Sequence, residues 1–177
     1  MPRLQSIDPA SATGETKALF EGPLKGKELN IFKGMANSPA VLNTYLGIAG
    51  ALSKASLSAK EQEVIHLAVS QENNCSYCLA AHTAIGKGAG LSDVQTVAAR
   101  TGSDVGDPKL TALATFAKQL HEKRGFVSDD DLSAFRSAGY DDGAIAEVTA
   151  VYALATMTNY FNHIHEPDID FPAPPSV

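Results

Sequence analysis

Long apolar runs are missing from this sequence. No stretch approaches the roughly twenty consecutive apolar residues that a membrane-spanning helix needs, so no membrane association is expected. The opening segment, MPRLQSIDPASATGE, lacks the apolar core of a secretory signal, which makes the cytoplasm the expected location. Basic residues are the minority, 14 lysines and arginines against 20 aspartates and glutamates, and they are not gathered into runs. With a formal net charge of -6 nothing suggests a phosphate-binding surface, and nucleic acid is not an expected partner. Cysteine is scarce. Two in 177 residues cannot build a disulfide scaffold, and in a reducing compartment a close pair points to redox or metal chemistry. No alternating pattern reads as a strand, and no repeat is long enough for an array. At 177 residues the expectation is one domain with a real core.

What the sequence does have is concentrated between Glu63 and His82, EVIHLAVSQENNCSYCLAAH. Both cysteines and two of the five histidines lie here. If Cys75 opens a helix, then Cys75, Cys78 and His82 stand at i, i+3 and i+7 on one narrow stripe. Glu63 belongs to the preceding segment, Ser58 to about Glu72, whose residues Val64, Ile65, Leu67, Ala68 and Val69 fit a buried helix. Asn73-Asn74 breaks that helix, since Asn tolerates left-handed and capping conformations better than helix interiors. With Asn74 as hinge, Glu63 lies about 16 Å before it and His82 about 12 Å after it, at about 1.5 Å per residue. An antiparallel hairpin then places a carboxylate, an imidazole and a thiol in line. The carboxylate can fix the imidazole, and the imidazole can take the thiol proton.

The two sources of thiol activation favour different cysteines. The helix N-terminus lowers the pKa of Cys75, whereas His82 is one turn from Cys78. His66, one turn on from Glu63, either joins the relay or packs beside it, and packing is favoured. Tyr77 stands between the cysteines, and His121 falls on an exposed helix end.

The rest of the chain reads as helical scaffold. Residues 1 to about 13 form an extended arm, suited to lie over a neighbouring subunit, and Glu15–Phe20 and Ile31–Met35 are short helical elements. Ser38-Pro39 starts a helix to about Ala55, Ser58–Glu61 is a capping box, and the glycines of IGKGAG end the cysteine helix. Further starts fall at Ser92, Asp107-Pro108 and Ser128. The final helix opens at Asp142, is rich in Ala, Val and Thr, and is expected to be central and buried nearly all round. It would end with Asn159, Asn162, His163 and His165 near the thiols. The tail from about residue 166, PDIDFPAPPSV, should be extended.

At Glu63 and the phrase NNCSYCLAAHT the chain resembles the alkylhydroperoxidase D-like branch of the carboxymuconolactone decarboxylase superfamily. The signature of that branch is a glutamate, a helix, then Cys-x-x-Cys-x-x-x-His. The likeness is strongest over Leu57 to Gly90. It implies an all-α, single-domain bundle around a Cys-x-x-Cys helix hairpin, assembled into trimers or hexamers and working without a cofactor. It also implies a hydroperoxide substrate and an external dithiol reductant of the thioredoxin-like or lipoyl kind. In that branch the second cysteine attacks the peroxide and the first resolves it, so the resemblance makes Cys78 the attacker and Cys75 the resolver, with His82 and Glu63 as proton relay. Alkylhydroperoxidase D itself carries His between the cysteines. Tyr77 here can donate a hydrogen bond but is a poor base near neutral pH.

Two other chemistries fit the same residues less well. Cys75, Cys78 and His82, with Glu63 or His163 as fourth ligand, could hold zinc in a redox-sensing or metal-binding module, but three ligands on one helix face make a tetrahedral site awkward. Acid-base decarboxylation, as in the superfamily's other branch, is not expected to need the cysteines.

Overall fold

The computed structural model describes all 177 residues, folded as nine α-helices without a strand. A 3-10 turn at Pro9–Ser11 precedes α1 (Gly14–Glu21), α2 (Asn30–Met35), α3 (Pro39–Leu52), α4 (Ala59–Glu72) and α5 (Ser76–Gly88). Then come α6 (Asp93–Thr101), α7 (Pro108–Glu122), α8 (Asp129–Ser137) and α9 (Asp142–His165). The fold is all-α, as expected, with the Cys-x-x-Cys hairpin formed by α4 and α5.

Helix boundaries follow local chemistry. Ser58, Ser92 and Ser128 each complete a reciprocal capping box with Glu61, Gln95 and Asp131. Asp107 accepts from the backbone of Lys109 and Leu110 ahead of Pro108, whereas Ser38 occupies the cap position before Pro39 without a side-chain bond. Asn74, at φ 54°, turns the chain between α4 and α5 in the left-handed region that Asn tolerates. Cys75 is not inside α5 but caps it, its sulfur accepting the backbone N–H of Cys78 at 3.4 Å.

The central element is α4 rather than the last helix. It packs against α5, α6, α7 and α9, and every residue from Glu63 to Ser70 is buried. Two turns without an exposed position require neighbours on all sides. Helix α9 instead exposes Ala146, Thr149, Ala153 and Tyr160 and buries one side, so its small residues mark close packing on that side only. An Asn73–Asn159–Ser70 chain of bonds at 2.9 and 3.2 Å fixes its register on α4.

The interior is divided. The larger apolar cluster joins α4, α6, α7, α8 and α9, with Phe116, Phe135 and Leu113 among its fully buried members. The smaller one joins α1, α2 and α3 to the start of α5 and includes Cys75, Tyr77 and Cys78. The amino-terminal arm lies on this smaller side. The Arg3 N–H donates to the His165 carbonyl at 2.7 Å and that of Ile7 to the Lys33 carbonyl at 3.0 Å, so the amino-terminal arm rests on its own chain. Gly34 lets α2 meet α9, because a Cβ there would fall 2.4 Å from the buried His165 ring.

The α3–α4 loop is tied to α9 by one carboxylate. Glu147 accepts from the backbone N–H of Ser56 and Leu57 and from the Ser56 hydroxyl at 2.8 to 2.9 Å. Burial pushes its carboxyl up, but these bonds outweigh it and hold the group below its ordinary value. Replacing Glu147 by alanine leaves the partly buried Leu57 N–H without its partner and the exposed Ser56 donors to water, and we expect a loss of about 0.5–1.5 kcal/mol in denaturant unfolding at unchanged m-value.

Candidate active site

The hairpin brings Glu63 on α4 and His82 on α5 together, with His82 Nδ1 at 2.8 Å from Glu63 Oε2. Both side chains are mostly buried, so the carboxylate meets its need for a partner through the imidazole. The carboxylate accepts the Nδ1 proton, which leaves Nε2 with the lone pair of a base. His82 makes no hydrogen bond to either sulfur, but it shares a cavity of about 510 Å³ with Cys78.

That cavity lies along the seam between the two apolar clusters. Its walls include Leu29, Ile31, Phe32, Tyr45, Leu52 and Leu154, and its polar groups include Glu63, His66, His82, Cys78 and Asn162. The polar groups hold the chemistry, and the apolar surface offers room for the organic part of a substrate.

Cys75 and Cys78 are 1% and 2% exposed and unbridged. The Cys78 thiol donates toward Cys75, which lowers the pKa of Cys75 and, together with burial, raises that of Cys78 well above its ordinary value. The first negative charge on the pair therefore rests on Cys75, at the helix cap. Access favours the other sulfur, because Cys78 lines the large cavity while Cys75 borders a separate polar groove with Asn74, Ser76 and His163.

His66 belongs to the cluster more intimately than packing implies. Its ring stacks on that of His82, centroids 4.1 Å apart and planes within 4°. It forms no hydrogen bond, Nδ1 is buried without a partner, and burial together with the adjacent His82 holds its pKa well below 6.5. His163 is exposed on α9, beside Tyr160 and without a hydrogen bond, so only its groove position relates it to Cys75. His165 is fully buried, away from the cavity. His121 is half-buried and bonded to Tyr152 at 3.1 Å rather than left free at a helix end.

For a metal, the set that converges is Glu63, His66 and His82, whose ligand atoms lie within 4.8 Å of one another, and not the two cysteines with His82. The near-parallel rings aim their in-plane lone pairs side by side, so one would have to turn before both could ligate one ion.

The end of α9 reaches the thiols as expected: Asn162 donates through Nδ2 to Cys78 Sγ at 3.2 Å. One feature escaped the sequence. The proline-rich tail, extended as expected, returns over the site. Tyr77 donates to Asp170 Oδ2 at 2.5 Å, and the backbone N–H of Asn30 donates to the same oxygen at 2.9 Å. Burial first, and then this carboxylate, raise the pKa of Tyr77 well above its ordinary value. Phe171 stands edge-on to Tyr77 at 6.0 Å and forms part of the cavity wall, while the Pro175 carbonyl accepts from Arg100 at 2.7 Å. Proline and aspartate in a tail signal extended chain, but not where it lands.

Residues 39–119 match the model of the carboxymuconolactone decarboxylase family, a span that contains Glu63, both cysteines and His82. Over that span the chain is similar to this family. No curated protein matches the sequence. An uncharacterized peroxidase-related protein of Ralstonia eutropha JMP134, described as an alkylhydroperoxidase AhpD core, superposes with a TM-score of 0.84 at 20% identity over 96% of this chain and 92% of that one. A second peroxidase-related protein, from Silicibacter sp. TM1040, gives 0.78 at 22% over 96% and 94%. The debrominase Bmp8, a cysteine-to-alanine variant in complex with 2,3,4-tribromopyrrole, gives 0.78 at 16% over 95% and 91%. At such identities the likeness is one of fold, and that fold is alkylhydroperoxidase D-like.

Two outcomes follow from this geometry. The unfolded chain protonates His66 near pH 6.5 and the folded protein only well below it. Its contribution is thus fully present above about 6.5 and is lost as pH falls, by up to about 1.4 kcal/mol per pH unit while only the unfolded state binds the proton. His66→Phe should flatten that slope in urea titrations between about pH 7.5 and 5, and an unchanged slope would show that His66 protonates freely in the fold. Second, Asp170→Ala removes the anchor shared by Tyr77 and Asn30. Thiol alkylation should accelerate several-fold and the tail should become a protease site, whereas unchanged rates would mean that other contacts hold it.

Proposed function

We propose that this protein is a member of the carboxymuconolactone decarboxylase family and a thiol peroxidase that reduces organic hydroperoxides through a Cys75–Cys78 dithiol/disulfide cycle. The observation that carries the reading is the 2.8 Å Glu63–His82 bond beside the cavity that Cys78 lines. A carboxylate-oriented imidazole next to a buried dithiol is the equipment needed to draw off one thiol proton and later return it.

In this scheme His82 takes one proton from the pair, leaving one thiolate and one thiol. The remaining proton lies between the sulfurs, and as it passes to Cys75 the cavity-facing Cys78 becomes the nucleophile. Cys78 thiolate attacks the terminal peroxide oxygen, the O–O bond breaks, and the leaving alkoxide takes the proton from His82 as an alcohol. Cys78 is then a sulfenic acid. Cys75 attacks its sulfur, the disulfide forms and water leaves with the Cys75 proton. An external dithiol of the thioredoxin-like or lipoyl kind restores the pair by exchange. Tyr77, bonded to Asp170, holds the tail in place in this scheme and takes no proton.

The same dithiol could carry out a different two-electron reduction, and the fold shared with the debrominase Bmp8 over 95% of this chain is the observation that favours considering it. Replacement of a carbon–halogen bond by carbon–hydrogen would oxidise the pair to the same disulfide and release halide. Decarboxylation, by contrast, should survive the loss of both cysteines.

The deciding measurement is a thiol count before and after one equivalent of an organic hydroperoxide, in the parent and in Cys75→Ser, Cys78→Ser and His82→Ala. We expect the parent to lose two thiols, Cys75→Ser to yield a trappable sulfenic acid, Cys78→Ser to be inert, and His82→Ala to react about 10²–10⁴ times more slowly. Thiols no faster than free cysteine would overturn the peroxidase reading, and halide release from 2,3,4-tribromopyrrole under the same conditions would replace it with dehalogenation.

A further inference from the structure

We infer that Asn162 is a catalytic residue whose single carboxamide holds both reactants, Nδ2 binding the Cys78 sulfur and Oδ1 receiving the O–H of the incoming hydroperoxide. This assignment rests on the peroxidase reading above for its substrate and on the cavity geometry for its site.

Asn162 is 4% exposed, yet its two polar ends are treated differently. Nδ2 lies 3.2 Å from Cys78 Sγ. Oδ1 is buried with no hydrogen-bond partner, although Asn162 forms part of the wall of the cavity that contains Cys78, His66 and His82. A buried carboxamide oxygen left without a donor costs about 1–3 kcal/mol, so its position calls for a partner that arrives from outside. The donor that fits is a hydroxyl, because Oδ1 can only accept, and beside it the cavity holds the ring nitrogens of His66, Nδ1 of which is also buried without a partner.

The two ends of one amide are only about 2.3 Å apart, a spacing set by covalent geometry. An oxygen that donates its proton to Oδ1 therefore lies beside the sulfur bound by Nδ2. In a hydroperoxide that oxygen is the terminal one, which must accept the sulfur lone pair. Its proton is not transferred: it stays on the oxygen that becomes the sulfenic hydroxyl, while the alkoxide leaves with the proton held by His82. The N–H side acts as well, since a hydrogen bond to the charged form stabilises a thiolate. Asn159, one turn before Asn162, is tied to Asn73 and Ser70, which fixes the carboxamide's position along α9.

The test uses the Cys75→Ser background, where Cys78 is the one remaining thiol, and compares Asn162 with Asn162→Leu and Asn162→Asp. Thiolate absorbance against pH reads the sulfur end without any peroxide. We expect the Cys78 pKa to rise by about one unit in Asn162→Leu and further in Asn162→Asp, where a carboxylate faces the thiolate. Cumene hydroperoxide and iodoacetamide, compared at equal thiolate fraction, read the oxygen end. Both need the thiolate, but only the peroxide offers an O–H, so its rate should fall about tenfold more in Asn162→Leu. An unmoved titration curve, or equal losses toward the two reagents, overturns the assignment. Should Asn162→Leu fail to fold, Asn162→Ala, which removes both ends of the amide, replaces it in the titration and in the reagent comparison. A protein that leaves cumene hydroperoxide untouched even with Asn162 in place defeats the peroxidase reading instead, and the titration then still reports on the sulfur end.

Discussion

A carboxylate buried in the middle of a helical protein needs a charge-compatible partner, and most of this architecture meets that need for Glu63. The partner, His82, is 19 residues away in sequence and comes from a second helix, so the pair exists only while α4 and α5 lie antiparallel at one fixed register. The capping box at Ser58 fixes where α4 begins, Asn74 turns the chain, and Cys75 starts α5 by capping it. Around the pair, α6, α7 and α9 enclose α4, which removes water and strengthens every electrostatic contact inside. Stability and chemistry thus draw on the same bond.

The distribution of charge within the site is uneven. His66 is kept neutral by burial and stacks on His82, while the cysteine pair concentrates its first negative charge on the sulfur at the helix cap. Cys78, the sulfur on the cavity, has Asn162 as a donor but also the higher proton affinity. Reactivity at Cys78 therefore depends on moving a proton between two adjacent sulfurs, a short transfer that the neighbouring imidazole can bias.

Much of the hairpin was legible because its information is local. Capping boxes span four residues, and the distances from Glu63 and His82 to the hinge can be counted along the chain. The role of α9 was less legible. Its small residues suggested a helix buried all round, yet Ala146, Thr149 and Ala153 face outward, since small side chains allow close approach without requiring it. The uninterrupted burial of Glu63 to Ser70 identifies the true centre, and that run was visible as a stretch with a single carboxylate and a single histidine among apolar neighbours. Asn162 was expected near the thiols, but its bond to Cys78 and that of Asp170 to Tyr77 could not be specified, because the partners are 84 and 93 residues distant in sequence. No periodicity carries information over such separations.

Asn74 gives the hairpin a phase as well as a bend. Each residue added to a helix advances its face by about 100°, so an insertion or deletion at the turn would rotate α5 relative to α4 while leaving every helix and cap intact. His82 would then turn from Glu63 toward the apolar interior, and Cys78 would turn with it. The turn therefore works as an index mark. Substitutions along either helix can be absorbed by repacking, but a change of chain length between Glu72 and Ser76 alters which residues meet at all, and an unchanged helical content would give no sign of it.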